Sequence, residues 1–151
     1  MRLSEARKGI RDSIVSLLEA EMVEDGMLEQ IHAVVYGQTV RPRPRLPALW
    51  VMFDVAQNQH DHQALREEWM IPVALVSMVN GDEPEELSNL AETIAEDART
   101  VLLRNRRLDL KYVRDIKSHR FEFAHSSTVN HERVWSSAAI CNVTFTVDER
   151  V

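Results

Sequence analysis

From Trp135 to Asp148 the chain alternates without interruption. Trp135, Ser137, Ala139, Cys141, Val143, Phe145 and Val147 fall on one side of an extended backbone, with Ser136, Ala138, Ile140, Asn142, Thr144, Thr146 and Asp148 on the other. A period of two held this long is the geometry of a strand, and it sets the odd-numbered side chains against a core. Such a face needs a second layer to cover it, so the rest of the chain must supply helices or another sheet.

Two segments have the helical period that such a layer requires. From Ser4 to about Glu24, Ala6, Ile10, Ile14, Leu17, Leu18 and Met22 share one face, with Ser4 placed as an N-cap. A longer helix is expected to begin at Asp82 and run to about Arg104. Asp82 and Glu85 read as a capping box, and Pro84 sits in the first turn, where its missing amide does no harm. Its stripe runs through Leu87, Leu90, Ala91, Ile94, Ala95, Ala98, Val101 and Leu102, an arc of about 140° that packs on a sheet. A further short helix is expected over Met27 to Val35, stopped by Gly37.

The remaining segments read as strands and connectors. In Arg41-Pro42-Arg43-Pro44-Arg45-Leu46-Pro47 each proline removes an amide donor and pushes its predecessor towards extended geometry, which makes a stiff connector. Leu49 to Val55 alternates as a strand, and Ile71 to Val79 is apolar on nearly both faces, as in a central strand. Polar residues from Gln57 to Glu68 separate the two, and a less regular strand is expected over Tyr112 to Phe123. The order helix, strand, strand, helix, strand, strand predicts an α+β fold. Its mainly antiparallel four-stranded sheet packs against the long helix and the N-terminal helix, in one structural domain over 1–151.

Composition limits the environment and the partners. With 151 residues, 44% of them hydrophobic and 28% charged, the chain can bury a core unaided. The single Cys141 has no intrachain disulfide partner, as suits a reducing cytoplasm. No apolar run reaches the roughly 20 residues of a membrane span, and Met1 to Lys8 leads into no signal-like apolar stretch. A soluble product without a membrane partner is expected. The net charge of −6 disfavours general attraction to DNA.

Chemical motifs are sparse. His60-Asp61-His62 offers two imidazoles at close spacing, but two ligands do not make a metal site, and His32, His119, His125 and His131 are scattered. Cys141 lies on the apolar face of its strand, where a thiol packs as a small hydrophobe. Ser126-Ser127 and Ser136-Ser137 lack the turn that exposes a nucleophile, and no glycine-rich phosphate loop is present. No cofactor and no enzymatic role are expected.

The charge pattern points instead to assembly. Asp82, Glu83, Glu85, Glu86, Glu92, Glu96 and Asp97 precede any basic residue of the long helix, and Arg99, Arg104, Arg106, Arg107 and Lys111 follow. The helix macrodipole accounts for part of this. The arrangement also gives a subunit an acidic end and a basic end, as a head-to-tail contact between copies requires. Glu85, Glu86, Arg104 and Arg107 are therefore candidate interface residues, joined by Leu103, which lies off the core stripe and is expected to be exposed. Arg41, Arg43 and Arg45, held apart by prolines, are candidates for contact with a neighbouring subunit or with passing DNA.

The order of elements resembles that of the tail terminator and tail-completion (neck) proteins of long-tailed bacteriophages. The resemblance rests on the amphipathic N-terminal helix, the approach Leu46-Pro47-Ala48-Leu49-Trp50-Val51, the strand Ile71-Pro72-Val73-Ala74-Leu75-Val76, the long helix and two closing strands. It implies a virion protein, made in the host cytoplasm, whose copies form a homohexameric ring at the head-proximal end of the tail. Such a ring caps the tail tube protein and meets the head connector protein, with DNA passing through its lumen. A related head-tail connector, head-closure or minor tail protein fits the same pattern. A small enzyme would need convergent titratable groups in a pocket, and a nucleic-acid-binding module a contiguous basic face.

Overall fold

The computed structural model describes residues 1–37, 43–62 and 66–148. Among the described residues, two helices, α1 (Leu3–Ala20) and α2 (Pro84–Leu103), cover one face of a six-stranded sheet. The strands are β1 (Val34–Tyr36), β2 (Ala48–Phe53), β3 (Gln57–His62), β4 (Arg66–Asn80), β5 (Val113–Val129) and β6 (Glu132–Asp148). They run in the order β1-β2-β4-β6-β5, with β3 pairing the outer half of β4. The α+β class and both long helices agree with the sequence reading, but the sheet has six strands, not four, and is mixed, because β1 pairs β2 in parallel.

Both extra strands have a physical origin in their segments. Over Met27 to Val35 the expected helix is absent: Asp25 adopts a φ of 66°, and a series of turns follows. Leu28 and Ile31 still reach the core, at 1% and 3% exposure, so their i, i+3 spacing reports burial and not helix. One turn with no tertiary extension does not offset helix nucleation. Val34 and Val35, both β-branched, instead pair with Leu49 and Trp50. The polar stretch Gln57 to Glu68 supplies β3 and the start of β4, which pair antiparallel with Gln57 opposite Met70 and His62 opposite Arg66. It lacks apolar alternation, and Gln57, Asn58, Gln59 and Arg66 are exposed.

β4 is the central strand that its apolarity predicted, and it extends further, pairing β6 from Arg66↔Asp148 to Asn80↔Val134. Pro72 is tolerated there because it stands where β2 ends. It accepts a bond from the Asp54 amide at 3.0 Å and has no N–H with which to return one, so β2 pairs only as far as Phe53. β5 also runs past the expected Phe123 to Val129, with three register shifts against β6 that explain its poor alternation.

The main core lies under the helices. α1 contributes Ala6, Ile10, Ile14 and Leu18, all fully buried, and each of the three larger side chains is worth about 1.5–3 kcal/mol of transfer free energy. α2 buries Ala91, Ile94, Ala95, Ala98, Val101 and Leu102. Its small residues let it approach β4 and β6 closely, and the Ser77 hydroxyl on β4 donates to Ala91 O of α2 at 2.6 Å. The odd-numbered face of β6 is buried as expected. From Val134 to Ile140 the even-numbered face is buried too, since Leu46, Ala48, Trp50 and Val134 form a second apolar cluster on the far side of the sheet.

Helix starts differ from the sequence reading. α1 is capped by Arg2, not Ser4, and α2 by Glu83, without a side-chain capping bond in either case. At α1 the chain enters the helix two residues early, and Ala6 N bonds Arg2 O at 3.1 Å. At α2, Gly81 makes the turn out of β4 at a φ of +140°, which favours glycine. A Cβ at Gly81 would also meet Leu87 Cδ1 at 2.6 Å.

Candidate subunit interface

The charged residues singled out in the sequence lie on α2 and just beyond its two ends. Residues 82–97 hold seven carboxylates and no basic side chain. Glu85 and Glu86 are exposed in the first turn, while Arg104 and Arg107 are exposed beyond the last. Twenty helical residues set the two ends roughly 30 Å apart. Nothing brings these candidates together within one copy, and none of Glu85, Glu86, Arg104 or Arg107 takes part in the ion pairs observed among the described residues.

The acidic half is crowded. Burial raises the Asp97 carboxyl above the ordinary carboxylate range, and the charge of Glu96 raises it further. Glu92 turns one oxygen to the Ala124 amide at 2.8 Å, tying α2 to β5. The basic half continues past the helix into β5. Residues 104–120 carry seven Lys or Arg and only two Asp. Arg106 reaches Ile116 O at 3.0 Å and Asp115 Oδ1 at 3.4 Å, and Arg104 lies against Met27 Sδ at 3.5 Å. This continuation into β5 was missed in the sequence because the segment was read for alternation and not for charge.

Leu103 corrects the expectation of exposure. It is only partly exposed and packs against the main core. It offers little to a partner.

Of the proline-spaced arginines, Arg41 lies outside the described residues. Arg43 Nη2 donates to Glu132 Oε2 at 2.7 Å, and Asn80 Nδ2 also donates to that carboxylate. These two bonds, Arg43 first, hold Glu132 below the ordinary carboxylate range. Arg43 thus sits at the strand end from which α2 departs, pinned to the β5–β6 turn. Arg45 is exposed, and the adjacent Leu46 anchors the connector in the second apolar cluster.

The chemically reactive candidates are dispersed. Cys141 is fully buried, and burial pushes its thiol up to about 11. Ser136 and Ser137 spend their hydroxyls on the backbone carbonyls of Ser77 and Glu122. His32, His119, His125 and His131 are exposed at separate positions, and the side chains of His60, Asp61 and His62 lie outside the described set. Among the described residues, no group of three or more His, Cys, Asp or Glu gathers as a metal ion would need. Among the described residues, no helix is long and apolar enough to cross a membrane.

Two clefts border the helical layer. One, of about 480 Å³, is lined by Leu3, Ser4, Arg7, Val55, Ile71 and Phe145 among others. Beside it, the Arg7 guanidinium lies 5.3 Å from the Phe53 ring centroid and 5.8 Å from that of Tyr36. The second, of about 350 Å³, lies between α2 and β5 and is lined by Glu92, Glu96, Arg99, Ser118, Phe121 and Phe123.

Searched against protein-family models and against curated protein sequences, the chain matches none.

Proposed function

We propose that this chain is a structural subunit that assembles with copies of itself into a closed ring, and that the ring is the tail terminator of a long-tailed bacteriophage. The observation that carries the assembly reading is the separation of charge along α2: seven carboxylates over residues 82–97, then a basic run through residues 104–120. Each end is exposed, and the ends are too far apart to neutralise each other within one copy. A second copy presenting its opposite end satisfies both, which is a heterologous contact that closes into a ring when its rotation does.

The assignment to a phage tail rests on the order of elements, a likeness at the level of fold. In that setting the ring is a hexamer that stops growth of the tube, with one surface towards the tube protein and another towards the head connector. Its function lies in shape and interfaces, without chemistry. Cryo-electron microscopy of purified virions tests it: the reading expects a ring of this chain at the junction of head and tail. A virion that lacks the chain, or a gene neighbourhood without portal, major tail and tape-measure genes, refutes it.

A further inference from the structure

Three large hydrophobic side chains among the described residues are more than half exposed: Val23 at 57%, Val55 at 73% and Phe123 at 74%. Two of them belong to the clefts described above. Phe123 projects from β5, braced edge-on by Phe121 with ring centroids 5.6 Å apart. Val55 forms the lip of the 480 Å³ cleft, whose floor is Ile71 and Phe145. One copy therefore offers a rigid aromatic knob, and another part of the same surface offers an apolar hole.

Building on the reading of the chain as a self-associating subunit, we propose that Phe123 of one copy seats in the cleft between α1 and the end of β2 of the next copy. A phenylalanine ring fits that volume, and a buried aromatic anchor in a pocket is the kind of contact that dominates interface energetics.

The charges around the two features match. Glu92, Glu96 and Arg99 surround the knob, while Arg7 and Asp54 border the hole. Arg7 has ring contacts, and among the described residues no carboxylate forms an ion pair with it. Docking brings it towards Glu92 and Glu96. Asp54, whose carboxylate accepts its neighbour's amide at 2.7 Å, retains lone pairs for Arg99.

The knob stands on an edge strand, whereas the hole opens where β2 ends and α1 begins, so the contact is head-to-tail and repeats from copy to copy. Direct strand addition along the β5 edge is opposed by its three register shifts, which break the ladder a second strand would need.

The test measures self-association of the full chain by sedimentation velocity across a concentration series, with circular dichroism to verify folding. Phe123→Ser and Val55→Asp each change an exposed side chain, so the monomer stays folded while association weakens at least about tenfold. Glu96→Arg and Arg7→Glu each weaken it alone, and the double variant recovers affinity because every copy carries both changes. A photoreactive benzoylphenylalanine in place of Phe123 should cross-link to peptides containing Leu3–Arg7 or Asp54–Ala56. If the wild-type chain forms oligomers that Phe123→Ser leaves unchanged, or the cross-link maps to the open sheet face at Val76 and Met78, this contact is wrong and the ring reading survives. A wild-type chain that stays monomeric throughout overturns both.

Discussion

Gly9 lies in the middle of α1, where glycine ordinarily weakens a helix by about 1 kcal/mol relative to alanine. It is there because Tyr112, from the connector between α2 and β5, lies across the helix and donates from its hydroxyl to Ala6 O at 3.2 Å. A Cβ at position 9 would overlap Tyr112 Oη, but it would stand 3.4 Å from Cζ, a tight but ordinary contact. Gly9→Ala therefore expels the ring tip and loses the hydrogen bond, about 0.5–1.5 kcal/mol. It also loses part of the packing of a half-buried ring, and together these outweigh the propensity gain.

In a Tyr112→Phe background the overlap is gone, and the same substitution should stabilise by about 0.5–1 kcal/mol. Urea denaturation of the four proteins gives the cycle, with an expected coupling of about 1–2 kcal/mol and unchanged m-values. Additive effects within about 0.3 kcal/mol would show that Tyr112 does not pack on Gly9.

Ile94 is 4% exposed at the centre of the α2 stripe, so Ile94→Ala should cost about 2–5 kcal/mol in chemical denaturation; an unchanged midpoint would remove it from the core. Cys141, buried and with its thiol pushed up to about 11, should resist thiol reagents at neutral pH until the protein unfolds, and rapid labelling of the native protein would contradict this. Glu132 should titrate below an ordinary glutamate in a carboxyl-detected NMR experiment and move back up in Arg43→Ala. Because the folded value is the depressed one, whatever the pair contributes to stability is present above the unfolded pKa and is lost as pH falls through the folded one. Reversing Arg104 and Arg107 to Glu should weaken self-association while leaving the monomer's denaturation midpoint nearly unchanged, and intact association would exclude the basic end of α2 from the contact.

The elements legible in the sequence were those that bury a single face. α1 and α2 repeat every three to four residues because only one side of each meets the sheet, and β6 alternates because its odd-numbered side chains lie beneath them. β3 and β1 were hidden for opposite reasons. β3 is polar throughout, with Gln57, Asn58 and Gln59 exposed, and so has no apolar signature, whereas β1 is three residues long, and its partners arrive from beyond the connector in β2.

Part of the candidate interface was legible as charge order along α2, since charge is a property of sequence. The knob and the cleft were not, because Phe123, Val55 and Arg7 acquire their meaning only from exposure and from neighbours distant in the chain. Leu103 shows the converse error. It lies off the core stripe of α2, yet it packs against the main core, which the period of the helix alone does not show.

Native mass spectrometry of the purified full chain tests the central claim most directly. A closed ring built from one heterologous contact predicts a single dominant oligomer of the 17.4 kDa subunit, six copies in the tail-terminator reading, that persists on dilution to a sharp threshold. A monomer at every concentration, or an open ladder of ever larger species, would contradict it.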